Sequence, residues 1–254
     1  MHACSGFAQF IHHSFCFTEI GLVLFPVLPV LSSVLTNPIS DRILVFMIDD
    51  NELRMHLVEV GRRLYEKGYI AGADGNFSAR VDRTQIMITP SGLPKGRLTE
   101  DQLVLLRSDG RPLSGGPKPS SEYRMHLLLY EKIPSIGAVV HAHPPFTTAL
   151  AATDREFRLD LLPEGLQALS DLAVVDYATP GSEELPEKIA SYLPQARILV
   201  LRNHGVTAVG EDLEEAYLRL EACEHYSRIC FLASLAGNPR FLSSSEQDKI
   251  RDLL

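Results

Sequence analysis

Two histidines one residue apart, in His141-Ala142-His143, end an apolar, β-branched run. Along a strand, residues i and i+2 point to the same side, so two imidazoles stand next to each other there. Such a pair is half of a metal site, and it is equally the pattern of two partly exposed histidines at a strand end. A third candidate, His204, follows the run Ile198-Leu199-Val200-Leu201 and precedes Gly205, again at a strand terminus. Three imidazoles with an open fourth position describe a catalytic zinc site, because structural zinc is normally closed by four protein ligands. Sequence distance alone does not bring His204 to the pair. His56, His126 and His225 fall on helical stretches among polar neighbours and read as surface or core residues.

A second constellation, Lys118-Pro119-Ser120-Ser121-Glu122, stands immediately before a helix. Two hydroxyls and free backbone N–H groups at a helix N-terminus form an anion site, and the helix dipole also favours a carboxylate there. The plain alternative is an N-cap with an acidic first turn. Gly72-Ala73-Asp74-Gly75-Asn76-Phe77-Ser78 is a glycine-rich turn entering a strand, and Thr89-Pro90-Ser91-Gly92 a turn leaving one. Each taken alone is a turn signal.

The elements that must carry these residues follow from periodicity. Leu53, Leu57, Val60 and Leu64 recur at i, i+4, i+7 and i+11, which predicts an amphipathic helix over 50–67 ended by Gly68. Short β-type runs follow at 77–81, 85–89 and 102–107, and Tyr123 to Glu131 reads as a helix with Met125, Leu128 and Leu129 inward. Ile136–His141 is a strand, and Pro144-Pro145 starts a helix through Ala152, because proline fits a first turn. Further strands are expected at 172–175, 197–201 and 206–209, with helices over 182–193 and from Leu213 to Leu235. Helices before, between and after the strands predict one α/β domain with helices layered on a central sheet.

Composition narrows the function classes. The chain has 254 residues, 22% charged, and a net charge of −8 without a dense Lys/Arg run. That argues against nucleic acid or an anionic membrane as the main partner, so any anion must be gripped locally. Four cysteines do not make a disulfide scaffold at this length. Cys223 and Cys230, on one helix, stand roughly 10 Å apart along its axis and cannot pair, so a reducing cytoplasm is the expected compartment. All 24 Lys and Arg residues lie from Arg42 onward. The apolar stretch Ile20 to Leu35 contains Pro26 and Pro29, lacks a basic leader, and is shorter than the roughly 20 residues a spanning helix needs. Residues 1–46 are therefore expected to be a poorly ordered extension or the product of an upstream start, with Met47 opening the domain at 47–254.

As a set and in this order, Gly75-Asn76-Phe77-Ser78, Thr89-Pro90-Ser91-Gly92, Ser120-Ser121-Glu122, His141-Ala142-His143-Pro144 and Asn203-His204-Gly205 resemble the class II aldolase and adducin head family. Its best-known members are zinc-dependent fuculose-phosphate aldolases, and the similarity runs from about residue 50 to residue 235. The resemblance implies a three-layer α/β/α domain with a largely antiparallel sheet, in a homotetramer with active sites between subunits. It implies that His141, His143 and His204 bind one divalent metal, zinc before manganese or cobalt. Glu122 becomes the acid/base, while Gly75, Asn76, Ser91, Gly92, Ser120 and Ser121 hold a substrate phosphate.

The implied activity is that of a metal-dependent aldolase, a lyase cleaving a small phosphorylated ketose by a retro-aldol reaction. That reaction leaves electrons on a carbon next to a carbonyl, and a Lewis-acidic ion stabilises the resulting enediolate. Dehydratases and decarboxylases of phosphorylated sugars or sugar acids need the same stabilisation and are the alternatives. The pentulose-phosphate 4-epimerases carry Asp where this chain has Glu122. The adducin head, a non-catalytic binding domain, lacks the ligand set. Two departures stand out. Ala73 replaces a frequent Thr, and no tyrosine lies near Leu161-Leu162-Pro163-Glu164, where the aldolases place their proton donor. Glu164 takes that place as an acid if burial or proximity to Glu122 raises its pKa; otherwise it is a solvated or substrate-binding loop residue. Tyr177 reads as a packing residue.

Overall fold

The computed structural model describes residues 50–113 and 115–253. The expectations for residues 1–46 and for a start at Met47 lie outside the described residues.

The first helix, α1 (Asp50–Glu66), turns Leu53, Leu57, Val60 and Leu64 into the core, and Gly68 beyond it takes a φ of 70°. Seven strands among the described residues form one sheet: β1 (Asn76–Arg80), β2 (Gln85–Ile88), β3 (Val104–Arg107), β4 (Ala138–Ala142), β5 (Leu172–Val175), β6 (Ile198–Leu201) and β7 (Gly205–Gly210). Their order is β3-β2-β1-β4-β7-β6-β5, and every neighbouring pair is antiparallel except β5 with β6. The remaining helices are α2 (Tyr123–Lys132), α3 (Pro145–Ala151), α4 (Pro163–Ala168), α5 (Glu184–Ala190), α6 (Leu213–Ala236) and α7 (Ser244–Arg251).

Strand alternation divides the core into two sides. Phe77, Ala79, Val140, Val200 and Ala208 pack with Leu57 and Leu64 of α1 and Tyr217 and Leu220 of α6. Val139, Leu199, Leu201 and Val209, one residue out of phase, pack with Met125 and Leu129 of α2 and Leu185 and Ile189 of α5. The sheet is thus the middle of three layers, as the resemblance implies. At the start of the expected span 102–107 the chain is still in a 3₁₀ turn, Glu100–Gln102, and β3 begins only at Val104. Two helices have no counterpart in the periodicity: α4 and α7 are short, and α7 buries no residue. Tyr177 does not pack inward; it is 49% exposed just past the end of β5.

The start of α3 shows how a distant residue fixes the segment after His143. Pro144 and Pro145 provide neither a capping side chain nor an N–H. Glu224 of α6, itself buried, accepts from Phe146 N at 2.9 Å, from Thr147 N at 2.8 Å and from Thr147 Oγ1 at 2.8 Å. It caps α3 from across the helix pair. Glu224→Ala leaves those donors without partners and should lower stability by about 2–3 kcal/mol. Denaturant unfolding of the purified variant measures this, and an unchanged midpoint would contradict the cap.

Candidate active site

Three adjacent strands set the floor of the site. Cross-strand pairing aligns Asn76 of β1, His141 of β4 and Thr207 of β7. All three fall on the α2 side of the sheet because their neighbours Phe77, Val140 and Ala208 face the other way. His141 is fully buried, and its Nδ1 lies 3.0 Å from Thr207 Oγ1, which leaves Nε2 facing His143 and Glu122. His143 leaves the strand with its N–H bonded to Tyr69 O and its Nδ1 3.9 Å from Asp74 Oδ2.

His204 arrives from a tight turn. Leu201 of β6 pairs with Gly205 of β7, and between them Asn203 adopts a φ of 55°, a left-handed conformation that asparagine tolerates. Gly205 allows the strands to close. A Cβ there would stand 2.5 Å from Ala142 O and 2.6 Å from His143 Cδ2, so any side chain would push into the histidines. The structure therefore brings His204 to the pair. One nitrogen from each ring lies within 4.8 Å of the other two, and His141 Nε2 is 3.2 Å from His143 Nε2.

Glu122 closes the cluster from the N-terminus of α2. It is 6% exposed, with Oε2 3.3 Å from His141 Nε2 and Oε1 3.2 Å from His204 Nε2. Asn76 Nδ2 donates to Oε2 at 2.7 Å. Behind Asn76 the line of side chains continues: Oδ1 to His126 Nε2 at 2.6 Å, His126 Nδ1 to Ser78 Oγ at 2.7 Å, and Ser78 Oγ to Tyr130 OH at 2.9 Å. The Asn76 amide, expected at a phosphate, is taken up between Glu122 and His126. His126, read from sequence only as surface or core, is fully buried in this line, while His56 and His225 are exposed.

Burial sets the electrostatics. It pulls the His204 pKa down to about 4, helped by repulsion from His143, and holds His141 well below the usual imidazole range, helped by repulsion from His204 and His143. His143 is lowered by burial against the opposing pull of Asp74. Burial pushes the Glu122 carboxyl up, and the Asn76 hydrogen bond works against it. Three neutral imidazoles thus face a buried carboxylate whose Oε1 makes no hydrogen bond, and His204 Nδ1 is also without one. Stranding a buried acceptor is unfavourable. Three imidazole nitrogens within reach of one another, with an unpartnered carboxylate oxygen 3.2 Å from His204 Nε2, fit a divalent cation.

The three turns singled out in the sequence meet beside this cluster. Thr89-Pro90-Ser91 runs against Lys118-Pro119-Ser120: Ser91 N donates to Lys118 O at 2.8 Å, Ser120 N donates to Thr89 O at 3.0 Å, and the two prolines pair. Thr89 N in turn donates to Phe77 O. Gly75 and Gly92 both take positive φ, of 72° and 73°. A Cβ on Gly75 would lie 2.7 Å from Ile70 Cγ2 and 3.0 Å from His141 O. Ser91 and Ser121 are exposed, and Ser120 is buried with its Oγ accepting from Glu122 N.

Lys95, which the sequence reading passed over, stitches two of these turns together. Its ammonium donates to Ala73 O at 2.9 Å and to Leu93 O at 2.7 Å, and burial lowers its pKa against the pull of Asp74. Glu164 is not brought in. It stands exposed in the first turn of α4, and among the described residues no hydrogen bond or ion pair joins it to Glu122 or the histidines.

Residues 55–231 match the profile of the Class II Aldolase and Adducin N-terminal domain. An L-fuculose phosphate aldolase of Methanococcus maripaludis is 36% identical over 175 residues, 69% of this chain and 94% of that protein. A 3-oxo-tetronate 4-phosphate decarboxylase of Haemophilus influenzae is 34% identical over 205 residues, 78% and 93% of the two chains. The solved l-fuculose-1-phosphate aldolase of Thermus thermophilus superposes with a TM-score of 0.61 at 31% identity, over 73% of this chain and 98% of that one.

Metal stripped with a chelator and returned should bind at about one ion per chain, and His143→Ala should lose most of it, because the cluster then offers only two imidazoles. Elemental analysis after desalting measures both. Full occupancy in the variant would contradict the cluster as the binding site.

Proposed function

The chain belongs to the class II aldolase and adducin family, and on that premise we propose that it is a metal-dependent carbon–carbon lyase cleaving a small phosphorylated ketose by a retro-aldol reaction. The observation that carries this reading is Glu122, a buried carboxylate with its oxygens 3.2 and 3.3 Å from Nε2 of His204 and His141. An ion held by His141, His143 and His204, zinc in this reading with manganese or cobalt as alternatives, would supply a Lewis acid for the substrate's carbonyl oxygen.

The chain's own residues do the rest. The imidazoles are neutral and leave such an ion its full charge. Glu122 sits beside the histidines as the carboxyl group to move a proton to or from the substrate carbon, with burial raising its pKa and the Asn76 hydrogen bond lowering it. The Ser91, Gly92, Ser120 and Ser121 turns, with Gly75 ahead of β1, fix the substrate's phosphate and with it the register of the reacting carbons, while the Asn76 side chain is held by Glu122 and His126 instead. A local grip of this kind is compatible with a net charge of −8. The reading takes 47–254 as the catalytic unit of a cytoplasmic homotetramer; the exposed Phe231, Leu232 and Leu235 near the end of α6 support an oligomer.

A specific observation favours a second reading, decarboxylation of a phosphorylated 3-oxo sugar acid. A retro-aldol cleavage needs a second group to handle the hydroxyl proton of the departing aldehyde. Glu164, proposed for that role, lacks burial in the single chain, and no tyrosine lies nearby in sequence. Loss of carbon dioxide leaves only the carbon to be protonated, for which Glu122 suffices. A panel of ketose 1-phosphates and phosphorylated 3-oxo acids, scored for aldehyde and for carbon dioxide release, separates the two.

With the active substrate in hand, Glu122→Gln keeps shape and metal but removes the base. Its turnover should fall roughly 100-fold or more. Unchanged turnover with metal retained would contradict the assignment.

A further inference from the structure

The buried line behind Glu122 has hydrogen-bond directions that follow from one end. Asn76 donates through Nδ2 to Glu122 Oε2, and its acceptor Oδ1 then faces His126 Nε2. Nε2 therefore carries the proton. Burial pulls the His126 pKa down to about 3, so the ring is neutral and Nδ1 is an acceptor. The Ser78 hydroxyl donates to it, and with its proton so used, the Ser78 oxygen accepts from the Tyr130 hydroxyl. Every donor in the line Tyr130, Ser78, His126, Asn76 points toward Glu122.

The line exists because two periodicities coincide. Glu122, His126 and Tyr130 are four residues apart on the helix side, a spacing of about 6 Å along α2. Asn76 and Ser78 are two apart on β1, a spacing of about 6.7 Å. The strand residues consequently fall between successive helix residues, and each polar group finds its partner in the next element.

We propose that His126 is a positioning residue: by donating to Asn76 Oδ1 it locks the amide with Nδ2 on Glu122 Oε2, and so leaves Oε1 as the free oxygen beside the histidines. A rotated amide would set Oδ1 against a carboxylate oxygen, acceptor against acceptor. Oε1 is the oxygen that no hydrogen bond occupies, beside His204 Nε2. Asn76 thereby serves Glu122 through its side chain. The proposal rests on the acid/base role of Glu122 argued above.

The test combines a measurement on the unaltered protein with two variants, all in the metal-loaded state. In protein labelled with ¹⁵N-histidine, His126 should show a protonated Nε2 and an unprotonated Nδ1 at neutral pH. A proton on Nδ1 would overturn the proposal without any variant. His126→Leu removes the donor, and His126→Gln keeps an N–H near the place of Nε2. The Leu variant should lose turnover roughly 100-fold, the scale expected for a misplaced reacting group. Its KM and metal content should hold, and its crystal structure should show Glu122 Oε2 freed from Asn76. The Gln variant should regain most of the lost turnover. Equal losses in both variants, or Glu122 still bound to Asn76 in the Leu variant, would overturn the positioning role while leaving the acid/base reading intact. A displaced Glu122 with unchanged turnover would overturn the acid/base reading and this proposal with it.

Discussion

A carboxylate is buried here among three imidazoles that burial keeps neutral. Without a positive charge nearby, Glu122 Oε1 loses its water and gains no partner. Arrangements of that kind persist only when something compensates. One compensation is visible on the other oxygen, where Asn76 donates. The other is the cation that three converging nitrogens can hold. The sheet, the hairpin and the turns are ordered around that requirement.

The sheet contributes alignment: Asn76, His141 and Thr207 stand side by side on three strands, so their relative positions are fixed by backbone pairing rather than by side-chain packing. The β6–β7 hairpin contributes His204, and Gly205 permits the approach. Helix α2 contributes Glu122 at its N-terminus, and the line through His126 ties the helix to β1. Lys95 and the pairing of Pro90 with Pro119 draw the surrounding turns into one rim. Rigid elements thus hold the reactive atoms, and turns surround them, a division suited to keeping chemistry fixed while the substrate varies.

Much of this was legible in the sequence wherever a local rule reports structure. Helical spacing located α1, α2 and α6, short apolar β-type runs located the strands, and the His-x-His spacing on such a run placed two imidazoles on one side. The resemblance, resting on five short motifs, carried His204 and Glu122 to the same site and the layered architecture with it. What stayed hidden depends on pairs remote in sequence. His126 meets Asn76 from 50 positions away, and Glu224 caps α3 from 77 away. A stripe of Glu122, His126 and Tyr130 opposite an alternating Asn76 and Ser78 was the available signal, but an isolated histidine on a helix does not announce it. Lys95 was invisible because lysine is normally solvated, and its burial follows from two carbonyls that only the folded turns bring together. Glu164 was placed by analogy with a neighbourhood; the short α4 instead leaves it facing solvent.

The central claim is that His141, His143 and His204, with Glu122 beside them, form a centre for one divalent ion. Anomalous diffraction at the zinc edge from crystals of the zinc-loaded protein tests it most directly. A single peak per chain is expected, about 2.0–2.1 Å from one nitrogen of each of the three histidines. A peak elsewhere, or saturating zinc with no density between the three rings, would contradict it.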